Sequence, residues 1–116
     1  MTINIKPKTF HCRTSKTGPT TPVTVVFSKY VSNDRLAVQL VTTKAPWSPY
    51  ATLTVNLDSE NLNSDKLAFV DINNCPWAPE FLEDNHIAKP TGVTAKSGFC
   101  TYPLYEFSRD AIYTEE

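Results

Sequence analysis

Three cysteines and two histidines are the residues that could carry chemistry in this chain of 116 residues. Cys75 lies in the stretch NNCPWAPEFLEDN, at the entry to a segment that is predicted to be helical. A thiol at a helix N-terminus can lose its proton more readily, because exposed backbone N–H groups favour the thiolate. Cys75 or Cys100, with His86 lying between them in the sequence, would then supply the nucleophile of a cysteine-dependent enzyme.

The surroundings of these cysteines favour a structural role. Neither is flanked by a nucleophile motif, the chain has no C-x-x-C pair, and neither histidine belongs to a recognisable catalytic triad. Free cysteine is among the most buried residue types and packs as a small hydrophobe. We therefore assign no catalytic residue, and the sequence leans away from an enzyme, with the cysteine-dependent enzyme kept as the alternative.

A zinc site is the second alternative, assembled from His11, Cys12, Cys75, His86 and Cys100. Structural zinc sites usually combine two close pairs of ligands with short internal spacing. Only His11 and Cys12 are close in sequence here, and adjacent residues on a strand point to opposite faces. The glycines complete neither of the phosphate-binding loop motifs. We expect no metal and no cofactor, and a small zinc-stabilised module stays open.

Aromatic residues in proline-rich segments give the strongest functional indication among the residue types. Tryptophan and tyrosine contribute much of the binding energy at protein interfaces. We expect the predicted helix and the loop that follows it to form a partner surface, with Trp77, His86 and Tyr102, and we add Trp47 from the segment KAPWSPY.

Four β-like segments precede the predicted helix. They are VTVVFSKYV, RLAVQLVTT, YATLTVNL and KLAFVDI, and the alternation of apolar and polar residues is clearest in the third. Four strands in succession without intervening helices are typical of an antiparallel meander. The predicted fold is α+β, an antiparallel sheet of four to six strands with one short helix packed on one face.

The helix is predicted over the Trp77 to Asn85 region. A tight turn over CPWA should lead into a regular helix that begins near Pro79, and Asn85 is the expected left-handed residue at its end. KPTG should form a turn, and SGFCTYPLYEF should be β-like. We divide the chain into an N-terminal segment, 1–21, with an edge strand and a flexible loop, a single domain, 22–108, and a tail, 109–116.

Composition limits the classes of function. The chain has 11 basic and 12 acidic residues and a net charge of −1, which is unlike the basic excess of most nucleic-acid-binding domains. No apolar run approaches the roughly 20 residues that span a bilayer, and the N-terminus lacks the apolar stretch of a signal peptide. An odd number of cysteines fits a reducing compartment. We expect a cytoplasmic protein with no membrane contact and no direct binding to nucleic acid.

Part of the chain resembles a small family described as a domain of unknown function. The matching pieces are NNCPWAPEF, KPTG and SGFCTYPLYEF, with YATLTVNL as a weaker match. The resemblance covers roughly 36–107. Members of that family are found in bacteria and their conjugative elements, plasmids and prophages. The resemblance implies a mobile-element setting and no chemistry.

We therefore expect a non-enzymatic accessory protein of a mobile element that binds a host protein. Small proteins of such elements often act on host machinery, so the resemblance implies an anti-CRISPR or another host-defence inhibitor as its function. A CRISPR effector nuclease is the partner that this expectation names.

Overall fold

The computed structural model describes residues 5–43, 46–57, 62 and 64–115. In this part of the chain the strands are β1 (Ile5–Pro7), β2 (Thr9–Cys12), β3 (Thr21–Lys29), β4 (Leu36–Thr42), β5 (Pro49–Thr52), β6 (Thr54–Val55), β7 (Leu67–Val70), β8 (Ala88–Ser97), β9 (Cys100–Phe107) and β10 (Tyr113–Glu115). The α-helix α1 spans Ala78–Asp84, and a 3-10 helix spans Arg109–Ile112.

All strand pairs are antiparallel, and they form three sheets. The first sheet has the order β2-β3-β4-β5, the second has the order β6-β7-β9-β8, and β1 pairs with β10. The predicted α+β class, with antiparallel strands and one short α-helix, is confirmed. The predicted meander is seen in the first sheet, whose strands follow the order of the chain. The strands are more numerous than a single sheet of four to six would hold.

Leu53 explains why one predicted strand became two. Its side chain is fully buried. Its N–H donates to the carbonyl of Val38 at 2.9 Å, and its own carbonyl accepts from the N–H of Asp71 at 2.8 Å. The segment YATLTVNL therefore leaves the first sheet as β5 and enters the second as β6, because Leu53 bonds to Val38 of β4 and to Asp71, the residue that follows β7.

The main core lies where the two four-stranded sheets and α1 meet. It includes Val23, Val38 and Leu40 from the first sheet and Val70 and Phe107 from the second. The buried face of α1 is formed by Ala78, Phe81 and Leu82. A smaller cluster of Leu57, Phe69, Ala95 and Leu104 packs separately. Because β7 and β9 contribute to both clusters, the second sheet buries side chains on both faces.

The helix begins as the turn chemistry predicts, and the left-handed residue after it comes one position later than expected. The N–H of Ala78 donates to the carbonyl of Cys75 at 2.9 Å, which closes the tight turn over CPWA. Asn85 has a φ of −97°, whereas His86 has a φ of 57°. The prediction of a left-handed Asn85 is therefore wrong, because the chain reverses at His86 after the amide of Asn85 has bonded to the carbonyl of Phe81.

The segment KPTG is not a turn between elements. It lies inside β8, where the pairing with β9 shifts register between Pro90 and Thr94. Gly92 has a φ of 88° there, a backbone conformation that glycine adopts without strain. The segment is therefore an irregularity within an edge strand, which accommodates both a proline and a left-handed glycine.

The C-terminal segment was predicted to be a tail, but it packs against the domain. Ile112 is almost fully buried, and its carbonyl accepts from the N–H of Lys8 at 2.8 Å. Residues of β10 then pair with β1. The buried side chain of Ile112, its hydrogen bond to Lys8 and the pairing of β10 with β1 together hold this segment against the domain. No helix in the described ranges combines the length and the apolar character needed to cross a lipid bilayer.

Candidate functional site

A groove of about 640 Å³ lies between α1 and the loop that follows β2. We call it the α1 groove. One wall carries the basic residues Arg13 and Lys16, and the helix side carries Glu80 and Asp84. Trp77 and Phe81 also line it. Protein interfaces are enriched in aromatic residues and arginine at their centre and have a polar rim.

Aromatic contacts hold α1 beside β2. Exposed and buried residues alternate along β2, so Phe10 points into the core, where its ring meets the edge of Phe81 at a centroid distance of 6.1 Å. Trp77 makes the same edge-to-face contact with Phe81 at 6.3 Å and with Tyr50 at 6.4 Å. Each such pair adds about 0.5–1.5 kcal/mol beyond the burial of area. The row of rings therefore fixes the position of Trp77.

The two charged walls do not neutralise each other. Arg13 Nη1 donates to the carbonyl of Lys16 at 3.1 Å, so the loop closes on itself. Neither Glu80 nor Asp84 has an ion-pair partner within the described ranges. Asp84 is the last residue of α1, where the helix dipole is negative, and the last turn has no basic residue. The helix side of the groove therefore attracts a cation.

The environment of the two buried thiols favours the protonated form. Burial raises the pKa of Cys12 to about 11, although a hydrogen bond with Tyr50 partly opposes this. Burial, and then the nearby carboxylate of Asp71, raise the pKa of Cys75. The Cys75 thiol donates to the carbonyl of Thr52 at 3.5 Å. The pKa shift runs opposite to the lowered pKa that a thiolate nucleophile at a helix entry requires.

The proposed zinc ligands do not come together. His11 is exposed and Cys12 is fully buried, so the strand points them to opposite faces. Cys100 lies at the start of β9, in the hairpin with β8. Among the residues that the structure describes, no three histidine, cysteine or acidic side chains are grouped closely enough to hold a metal ion.

The four residues predicted to bind a partner lie on different parts of the surface. Trp77 is half-buried and lines the α1 groove. His86 is exposed and lines a separate depression of about 530 Å³. Tyr102 packs against the smaller apolar cluster. Trp47 is 71% exposed in the loop after β4, where its indole N–H donates to the carbonyl of Thr43 at 3.2 Å.

Sequence reasoning placed Trp77 at the site but missed the residues around it. Glu80 and Asp84 were not among the residues predicted to bind a partner, and neither was Arg13, which lies in the predicted N-terminal segment 1–21. The i, i+4 spacing of Glu80 and Asp84 places both carboxylates on one side of the helix, which the sequence could have indicated. That this side faces Arg13 depends on how β2 packs against α1.

The hairpin of β8 and β9 carries a second exposed aromatic residue. Phe99 lies at its tip and is fully exposed, and Val93 on β8 is about half exposed. β7 pairs with β9 only from Leu104 to Glu106, so the distal part of the hairpin extends beyond that strand. Nothing in the structure shows what covers this tip. The α1 groove is therefore the candidate site.

Comparison with known proteins gives a family without a biochemical activity. Neither the curated proteins nor the solved structures include a match to the chain. The family model described as a domain of unknown function (DUF4313) matches residues 24–115. The match includes α1 and its acidic residues, whereas β2 and the loop after it lie before its start. The chain belongs to the DUF4313 family.

Proposed function

We propose that this chain is a non-enzymatic protein-binding module and that the α1 groove is its binding surface. The observation that carries the proposal is the position of Trp77, half-buried against the rings of Tyr50 and Phe81 in a groove that basic and acidic residues also line. A tryptophan fixed in this way loses little conformational freedom on binding and offers a large apolar surface with an indole N–H donor.

The two alternatives have less support. A cysteine-dependent enzyme needs an accessible thiolate, and burial raises the pKa of Cys75, one of the two predicted nucleophiles, as it raises that of Cys12. A zinc-stabilised module needs grouped ligands, and the strand alternation separates His11 from Cys12. Cys12 and Cys75 instead pack as small apolar groups in the main core.

The proposed partner is a protein of the bacterial host, bound in the cytoplasm. The support for this step is the resemblance to proteins of conjugative elements, plasmids and prophages, together with the near-neutral net charge, which suits a protein partner better than a nucleic acid. Inhibition of a host-defence system is the narrower form of the proposal, with a CRISPR effector nuclease as the partner.

The test compares two tryptophans in one binding assay. The tagged chain is purified from its host, the protein that accompanies it is identified, and the affinity of the purified pair is measured. Trp77→Ala should weaken binding by about 30-fold or more, the loss expected for a hot-spot residue of about 2 kcal/mol. Trp47→Ala is the matched control and should change the affinity less than threefold. Circular dichroism at the assay temperature checks that both variants are folded.

Equal affinities for the wild type and folded Trp77→Ala would show that the α1 groove is not the binding surface. Failure of any host protein to accompany the wild-type chain would count against the binding function itself.

A further inference from the structure

The outer edge of β2 has no neighbouring strand in the part of the chain that the structure describes, and we call it the open edge. β2 is the first strand in the order β2-β3-β4-β5, and β3 is the only described strand of that sheet that pairs with it. An edge strand presents unpaired N–H and C=O groups, which makes it a template for another extended chain. Which residues of β2 present those groups follows from the hydrogen-bond pattern of the sheet.

The pattern is fixed by two bonds on the far side of β4. The N–H of Thr42 donates to the carbonyl of Ser48 at 3.0 Å, and the carbonyl of Val38 accepts from the N–H of Leu53 at 2.9 Å. Both bonds point away from β3. In an antiparallel ladder the two residues of a pair either exchange bonds or both bond to their other neighbours. Because Thr42 is paired with Val23, the N–H and C=O of Val23 must point toward β2.

The same alternation then crosses to β2. Val23 is paired with Phe10, so the backbone groups of Phe10 bond to β3. Those of Thr9 and His11 therefore point to the open edge. The residue opposite His11 is Pro22, which has no backbone N–H to donate. This agrees with a hydrogen-bond pattern in which His11 and Pro22 do not bond to each other.

The open edge runs beside the α1 groove. His11 and Arg13 line the groove on the strand side, and Glu80 and Asp84 line it on the helix side. A chain bonded to Thr9 and His11 would lie between β2 and α1, with side chains directed alternately to the two faces of the sheet. The carboxylates of Glu80 and Asp84, which have no ion-pair partner among the residues that the structure describes, complement a basic side chain on that chain.

We propose that the partner binds through an extended segment that adds a strand to the open edge of β2 and presents a lysine or arginine to Glu80 and Asp84. This inference rests on the proposed protein-binding function and specifies its mode. The backbone bonds supply affinity that does not depend on sequence, and the carboxylates select the basic residue.

The first test uses a defined peptide and the full chain labelled with ¹⁵N. The probe is a capped nine-residue peptide of alternating threonine and valine with lysine at its centre. Controls carry glutamate at the centre, or proline at alternate positions to remove backbone donors. The lysine peptide should shift the amide resonances of Thr9 and His11 and slow their hydrogen exchange. It should bind about three- to tenfold more tightly than the glutamate peptide, and the proline peptide should not bind.

Three results would overturn the inference. One is that the lysine peptide leaves Thr9 and His11 unchanged at millimolar concentration. Another is that the shifts fall on β8, the edge strand of the second sheet. The third is that Thr9 and His11 change with protein concentration without any peptide, which would assign the edge to a second copy of this chain. The Glu80→Gln/Asp84→Asn variant tests whether these carboxylates select the lysine. Equal binding of the lysine and glutamate peptides to this variant would support that role, and an unchanged preference for the lysine peptide would contradict it.

A pair of variants separates this inference from the proposed function. His11→Pro removes an N–H that points away from β3, so the first sheet keeps its own hydrogen bonds, and His11→Ala removes the side chain only. His11→Pro should weaken binding of the lysine peptide and of the host partner about tenfold or more, and His11→Ala less than threefold. If Trp77→Ala loses the partner while folded His11→Pro keeps it, strand addition is wrong and the protein-binding function stands. If His11→Pro does not fold, the exchange rates in the wild-type chain decide.

Discussion

The buried thiols allow a quantitative prediction about their reactivity. The pKa of Cys12 is raised from 9.0 to about 11. Below pH 9, two pKa units lower the thiolate fraction about 100-fold, and the thiolate is the species that is alkylated. The Cys12 side chain also has no accessible surface, so a reagent reaches it only through opening of the fold. Cys12 should therefore react with iodoacetamide at pH 7.5 at least about 100-fold more slowly in the folded chain than in urea.

The assay follows each cysteine separately by mass spectrometry of peptides taken at successive times. Cys75 is 5% exposed with a raised pKa, so it should also react slowly. Cys100 is half-buried, lies outside the main core, and should react first. Urea should bring the three rates together, which is the internal control. Folded Cys12 or Cys75 reacting within a few-fold of its rate in urea would refute the structural assignment, and for Cys75 it would favour the cysteine-dependent enzyme.

Two further predictions concern stability. Leu82→Ala removes a fully buried side chain of α1 and should lower the free energy of unfolding by about 3 kcal/mol, measured by urea denaturation. The pKa of Tyr105 is raised to about 12 by burial and by its hydrogen bond to Glu83, so the folded chain holds this proton more tightly than the unfolded chain does. The contribution of Tyr105 to the free energy of unfolding should be complete below pH 10 and lost as the pH rises through 12. Tyr105→Phe should lower the free energy of unfolding by about 1 kcal/mol at pH 7. In that variant the free energy of unfolding should fall less steeply with pH above pH 10. An unchanged pH dependence above pH 10 in Tyr105→Phe, or a loss for Leu82→Ala below about 1 kcal/mol, would contradict these assignments.

Local sequence patterns predicted the strands and the helix well, because strand and helix formation depends on residues that are neighbours in the sequence. The β-branched runs at β3 and β4 indicated strands. The prolines around Trp77 indicated the entry to a helix. The break at Leu53 could not be predicted, because it depends on hydrogen bonds to Val38 and Asp71, which are distant in the sequence. Alternation of side chains continues through Leu53 and conceals the change of sheet.

The candidate site was only partly predictable for the same reason. A tryptophan among prolines is visible in the sequence, and Trp77 was selected on that basis. The groove beside it exists because Phe10 of β2 packs on Phe81 of α1, a contact between residues far apart in the chain. His86, Tyr102 and Trp47 were grouped with Trp77 by residue type, and the packing of the two sheets places them on different surfaces.

Hydrogen exchange of the chain bound to its host partner would show whether the α1 groove is the binding surface. We expect the protection gained in the complex to fall on residues 9–13 and 77–85, the two sides of the α1 groove. Protection confined to the hairpin of β8 and β9, with both sides of the groove unchanged, would contradict it.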